Sequence, residues 1–390
     1  VKDKNAIFFL NLLLSTRVWS FPMTQIVHIT NTNVEFEFSQ PSLLSLEQSW
    51  SRYPLCLQLQ FLPLLYAKPD DVVAVTALPK SDFLAALQQT GWWPEGLPHL
   101  ALLQEVDPFY GKKCCSWGPS RQVQAWAVAR HMTYDLPRDW QTICLVNSKA
   151  FSFRYTCLTE SALLSNEQEL RGWLWKTEGP KILKTCFGLS GKGNRRIDDT
   201  SPSAEILAFC HKEWRQERPL IGEPWLDRLY DFSTQWFIHP NQQIEWIGAT
   251  RFETDIHGTY QGTLAGPENI LFASLESFLQ QHRQIAQKVL SDIAAMGFSG
   301  SVGIDALLYR HPSTQAICLY PLVEINARQT MSLVALRVQQ HLCPRQILRL
   351  TFQQNGSFQP SLLPDQLVDS KGKIVSFRRR LTASVLPTMN

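Results

Sequence analysis

Two acidic side chains and an amide stand in a pattern suited to holding a divalent cation. In Leu322-Val323-Glu324-Ile325-Asn326, side chains alternate across an extended chain, so Glu324 and Asn326 face one side while Val323 and Ile325 face the other. The turn-rich stretch His311-Pro312-Ser313-Thr314-Gln315 separates this run from one that carries Asp305. A turn centred near Ser313 pairs the two runs as a hairpin and brings Asp305 within pleat distance of Glu324. Three oxygen donors on a rigid hairpin suit Mg2+, or Mn2+ in its place; Mg2+ takes few carboxylates and completes its octahedron with water and phosphate. The same alternation also fits an ordinary hairpin with a wet polar face, and spacing alone leaves both readings open.

A second cluster lies upstream. The run Lys181-Ile182-Leu183-Lys184-Thr185 leads into Cys186-Phe187-Gly188-Leu189-Ser190-Gly191-Lys192-Gly193-Asn194-Arg195. Exposed backbone N–H groups in a glycine-rich turn cradle phosphate oxygens, and a lysine near the end of the strand adds a point charge. The glycine order fits neither GxxxxGK[ST] nor GxGxxG, and a plain surface hairpin turn is the competing reading. A third polar stretch runs from Gly248 to Gly262. Arg251 there has the planar fork to hold an acceptor carboxylate, while a solvated strand and turn fits the stretch as well, and His257 beside Gly258 reads as a turn residue.

Composition narrows the class. The chain has 390 residues, 44% of them hydrophobic and 18% charged, with a net charge of +3. That is enough for two or three folded domains of roughly 150 residues. It lacks the concentrated basic footprint of a nucleic-acid wrapper. Nine cysteines without a CxxC pair indicate neither a disulfide framework nor a zinc ribbon, and imply reduced thiols in a cytoplasmic setting. Val1 to Pro22 reads as a leader or appended segment, with Met23 as the expected start. Its apolar run is too short to span a bilayer and lacks a small-x-small cleavage site. No membrane partner is expected.

The elements that must position these residues follow from periodicity. Residues 23–142 read as a small α/β unit: a strand over Asp71 to Ala77, a helix over Ser81 to Gln89 closed by Gly91, and a helix capped by Ser120 running to His131. Residues 143–225 open with a strand over Thr142 to Val146. A capping box of Ser165 and Gln168 then starts a helix to Trp175, followed by a strand over Lys181 to Phe187, a helix from Pro202 and a strand over Pro219 to Trp225. Residues 226–390 contain a strand over Phe232 to Ile238, a helix over Ala273 to Met296 stopped by Gly297, and the hairpin strands Ser301 to Tyr309 and Ala316 to Asn326. The class is α/β in the mixed, α+β sense.

In their order, these pieces resemble the ATP-grasp superfamily of carboxylate–amine ligases. There a strand lysine and small-residue loop precede a hinge strand, and an acidic hairpin ending in E-x-N comes last. The resemblance covers Asn147 to about Met331 and implies an ATP-grasp fold preceded by a small α/β domain, with a central lid subdomain over 143–225 and a metal-bearing subdomain over 226–390. It implies that Lys149 and Lys184 are the nucleotide lysines and that Ser190, Gly191 and Gly193 belong to a lid over the triphosphate. Glu223 would meet the adenine amino group, backbone at Trp225 and Leu226 the ring, and Asp231 the ribose. Asp305, Glu324 and Asn326 fall on the metal ligands, and Arg328 on a position facing phosphate or substrate.

One departure is Gly303, where many relatives carry a basic residue, leaving Arg251 or Arg328 to supply that charge. The resemblance implies an ATP- and Mg2+-dependent enzyme that activates a small-molecule or peptide carboxylate as an acylphosphate and joins it to an amine, with a homo-oligomer as the candidate assembly. A small-molecule kinase and a degenerate nucleotide-binding module are the alternatives on the same scaffold.

Overall fold

The computed structural model describes residues 25–39, 45–156, 158–188, 193–254, 260–354, 360–369 and 372–387. The segment 1–22 and Met23, the loop residues Ser190 and Gly191, and His257 lie outside the described residues.

Short β-branched runs build the first layer. The strands His99–Leu102, Val72–Val75, Ile26–Ile29 and Lys113–Ser116 pair in that order, all parallel. Every residue of Val72–Val75 is buried, as expected for a strand covered on both faces. The helices Asp82–Gln89 and Arg121–Val128 match their expected positions, and the Ser120 side chain caps the second by accepting from Val123 N–H.

A small antiparallel sheet follows, ordered Ala162–Leu164, Leu220–Pro224, Lys181–Thr185, Asn194–Ile197. Two details before it correct the sequence reading. The run read as a strand over Thr142 to Val146 is a helix, Trp140–Val146, because the Asp139 side chain caps it by accepting from Thr142 N–H. The next capping residue is Asn166 rather than Ser165: Asn166 accepts from Glu169 N–H at 2.9 Å while the Glu169 carboxylate accepts from Ser165 N–H at 2.7 Å. The helix after the glycine turn is capped by Ser203 and spans Ala204–Trp214.

The largest layer is a seven-stranded antiparallel sheet, ordered Ile317–Asn326, Gly300–Arg310, Asp227–Ile238, Ile244–Thr254, Tyr260–Ala265, Leu348–Gln354, Arg379–Val385. One face is covered by the helix Glu276–Ala295, whose Ala286, Val289, Leu290 and Ile293 pack against Trp236, Val302 and Ile304. The opposite face receives the helix Met331–Leu342, whose Val334, Leu336 and Val338 share one core with Leu62, Leu65, Val73 and Val75 of the N-terminal layer. The parallel sheet therefore sits against the face of the large sheet that carries Asp305. A three-stranded sheet joining Leu78–Pro79 to Gln366–Val368 and Ile374–Ser376 adds a second tie between the chain ends.

Under the large sheet, His282 is enclosed between the Thr234 hydroxyl at 2.7 Å and the Pro321 carbonyl at 2.9 Å. Burial pushes its pKa from 6.5 down to about 4. The unfolded chain therefore takes up this proton more readily than the folded one. The contribution of neutral His282 is complete above the unfolded value and lost as the pH falls through the folded one, a swing on the order of 3 kcal/mol. Urea titrations from pH 4 to 7 should show stability rising with pH, and His282→Asn should flatten that slope; an unchanged slope in the variant would assign it to other groups.

Candidate active site

The hairpin sets the register. Asp305 lies directly opposite Glu324, and Gly303 opposite Asn326. Asn326 Nδ2 donates to Asp305 Oδ2 at 3.1 Å, so the three expected ligands converge on one sheet face. On the other side of its strand, Asp305 is in register with Ser233. Burial and the adjacent Glu324 charge raise the Asp305 pKa to about 7, against a lowering by the Ser233 hydroxyl. Two carboxylates facing one another in a dry site repel, and a divalent cation between them relieves that repulsion. Among the described residues there is no group of three or more His, Cys, Asp or Glu able to hold a metal. The donor set here is two carboxylates and an amide, which fits Mg2+ with its remaining positions left to water and phosphate.

Each cation expected to meet nucleotide phosphates is paired with a carboxylate. Lys149 opens the helix Lys149–Phe153 and donates to Glu324 Oε1 at 2.8 Å. Burial works against its charge, but Glu324 and Glu35 outweigh it and hold its pKa above the usual value. Lys184, on the small sheet, donates to Glu223 Oε2 at 2.5 Å, and the Tyr320 hydroxyl donates to Glu223 Oε1 at 2.7 Å. Tyr320 lies on the strand that carries Glu324, so this chain of contacts ties the small sheet to the metal hairpin. Arg328 donates to Asn326 Oδ1 at 2.7 Å and forms a close ion pair with Glu35. Burial raises the Glu35 pKa against the opposing Arg328 charge.

Glu35, Ser233 and Tyr320 are members that sequence reasoning missed. Tyr320 shares its strand with Glu324, a usable signal. Ser233 requires knowing that non-consecutive strands pair. Glu35, in the helix Val34–Ser39, reaches Arg328 across 293 positions of chain, which no local pattern reveals.

Other expected residues are placed differently. The Asp231 carboxylate is on the Asp305 face by register, but it is held by Arg228 and by the Thr254 hydroxyl at 3.1 Å. Trp225 N–H already donates to the Pro180 carbonyl at 2.8 Å, with the Arg196 guanidinium 4.8 Å from the ring centroid, so it is not a free donor for a ring. Trp225 and half-buried Leu226 form a two-residue link, since the next strand starts at Asp227. Arg251 does not join the cluster. It is in register with Phe232, one residue out of phase with the Ser233–Asp305 pair, and its guanidinium lies 4.5 Å from the Tyr230 ring centroid; strand alternation puts it on the reverse face.

Gly303 also has a structural reason. An added Cβ would come within 2.8 Å of Thr330 Cγ2 and 3.1 Å of Gln235, which are themselves hydrogen-bonded at 2.7 Å. A basic side chain there has no room, and of Arg251 and Arg328 it is Arg328 that lies beside the hairpin, next to Asn326. At the end of the glycine turn, Gly193 has φ +107°, and a Cβ would sit 2.4 Å from Thr185 Oγ1. Gly193→Ala should therefore open the turn between Lys181–Thr185 and Asn194–Ile197, read as faster amide hydrogen exchange across that pair; unchanged protection would show that the turn tolerates a side chain.

No family model matches the sequence, and no curated protein matches it. Solved structures do match. A phosphoribosylamine–glycine ligase from Thermotoga maritima superposes with a TM-score of 0.50 at 12% identity, over 92% of each chain. An N5-carboxyaminoimidazole synthetase from Staphylococcus aureus, complexed with ADP, gives 0.49 at 12% identity over 93% of each chain. Identity this low speaks to architecture alone. The fold of this chain is the ATP-grasp fold.

Proposed function

We propose that the chain is an ATP- and Mg2+-dependent ligase that activates a carboxylate as an acylphosphate and joins it to an amine. One observation carries this reading: both lysines are tied to the hairpin that bears Asp305 and Glu324, Lys149 by pairing with Glu324 and Lys184 through Glu223 to Tyr320, four residues before Glu324 on the same strand. Phosphoryl transfer asks a protein mainly for positioning and charge neutralisation. Asp305, Glu324 and Asn326 would hold Mg2+, which supplies charge neutralisation at phosphate oxygens when bound.

The lysines then act by exchanging partners. In the free protein Glu324 and Glu223 occupy them; a triphosphate offers each a stronger anion, releasing Glu324 toward the cation and Glu223 toward the nucleotide base. Arg328, neutralised by Glu35, lies next to Asn326 and would orient the carboxylate to be activated. A water-sensitive acylphosphate requires a closed site, a task suited to the small sheet and its glycine turn.

The reaction is tested by incubating the protein with ATP, Mg2+ and a panel of carboxylates, with hydroxylamine as the amine. Carboxylate-dependent ADP release with matching hydroxamate supports a ligase. Phosphorylated alcohols, or ADP release indifferent to every carboxylate, would overturn it.

A further inference from the structure

A second group of reactive side chains sits in the N-terminal layer and takes no part in the proposed ligation. His28 and Cys115 occupy neighbouring parallel strands in direct register, so their side chains project from the same sheet face. Asp71, immediately before the strand Val72–Val75, holds the imidazole: its Oδ2 is 3.0 Å from His28 Nε2. The carboxylate is fixed in turn by Ile26 N–H at 3.0 Å and Lys68 N–H at 3.1 Å. The other ring nitrogen, His28 Nδ1, is buried and makes no hydrogen bond of good geometry among the described residues, although the residue is only 8% exposed. Its neighbour across the strand pair is the Cys115 thiol, half-buried and unbridged.

A carboxylate that orients an imidazole, with its free nitrogen beside a thiol, is the arrangement that activates a cysteine nucleophile. We propose that Cys115 is a thiolate site that reacts with small peroxides. The thiolate attacks one peroxide oxygen, the S–O bond forms as the O–O bond breaks, and the sulfur is oxidised to a sulfenic acid while the peroxide is reduced. The departing oxygen takes a proton from the His28 imidazolium and leaves as water or an alcohol.

The charges around the thiol agree with this. His28 is raised to about 9: burial works against its charge, but Asp71 and Cys115 outweigh it. Burial opposes the Cys115 thiolate, yet His28, Arg337 and Lys113 together bring its pKa below the usual value. The Tyr66 ring stands edge-on to His28 with centroids 5.9 Å apart. Cys114 is no resolving partner: it packs in the core on the opposite face, where burial pushes its thiol well up. The product should therefore remain a sulfenic acid. It would press on Gln329, whose Nε2 lies 3.9 Å from Cys115 Sγ and which follows Arg328 in the chain.

The test uses the full chain with hydrogen peroxide at pH 7, a 1,3-diketone trap for sulfenic acid and peptide mass mapping. Cys115 should be trapped at least tenfold faster than any other cysteine, and His28→Gln should slow it at least tenfold. Should that variant unfold, the unmodified chain still decides. Alkylation of Cys115 by iodoacetamide should reach half its limiting rate clearly below the ordinary thiol value of about 8.5. A Cys115 that peroxide leaves untrapped, a rate unchanged in folded His28→Gln, or an alkylation midpoint at or above the ordinary value would each overturn the assignment.

Discussion

Replacing Glu324 with Gln should lower ATP turnover by about 100-fold or more, because it removes one of two carboxylates from a site where charge must be matched to phosphate. The amide keeps the shape of the side chain. Its loss of charge has a structural cost as well, since Lys149 would lose the carboxylate it meets at 2.8 Å while its side chain is only 11% exposed. A buried ammonium without its counter-ion costs roughly 3 kcal/mol, offset here by nearby Glu35. The thermal melt should therefore fall but stay cooperative, and turnover should be compared well below it. Retained ATP turnover in folded Glu324→Gln would remove the hairpin from the mechanism.

The second large effect is expected at Lys184. Lys184→Met leaves Glu223 buried with the Tyr320 hydroxyl as its remaining side-chain partner, a loss of roughly 3 kcal/mol. Glu223→Gln in the same chain should recover part of that loss, because the uncompensated charge disappears. Nucleotide affinity should not recover, since the lysine is what meets phosphate. Calorimetric titration with ATP alongside thermal melts separates the two effects. If the double variant binds ATP as the unmodified chain does, Lys184 is a structural lysine.

What the sequence makes legible is local and periodic. Alternation in Leu322 to Asn326 places Glu324 and Asn326 on one face, and the turn at Ser313 fixes the pairing with Asp305. The helix Glu276–Ala295 likewise follows from its apolar stripe and the glycine beyond it. Errors arise where a short apolar run carries both periods: Thr142 to Val146 suits a strand by residue type, and only the Asp139 cap makes it a helix. The partners that set the charge of the site are beyond local reading. Glu35 comes from the N-terminal layer, and Ser233 from a strand that pairs with its neighbour only through the sheet order. Arg251 shows the converse, a residue lying in sequence between the hinge and the metal hairpin that the pleat turns toward Tyr230.

The account rests on a triphosphate and a divalent ion binding together at the Asp305–Glu324 pair. Calorimetric titration of the chain with ATP, with Mg2+ and then with EDTA, tests this most directly when repeated on Asp305→Asn/Glu324→Gln. Affinity that depends on Mg2+ and is lost in the double variant is the predicted result. ATP binding of equal strength in EDTA, or in the double variant, would contradict it.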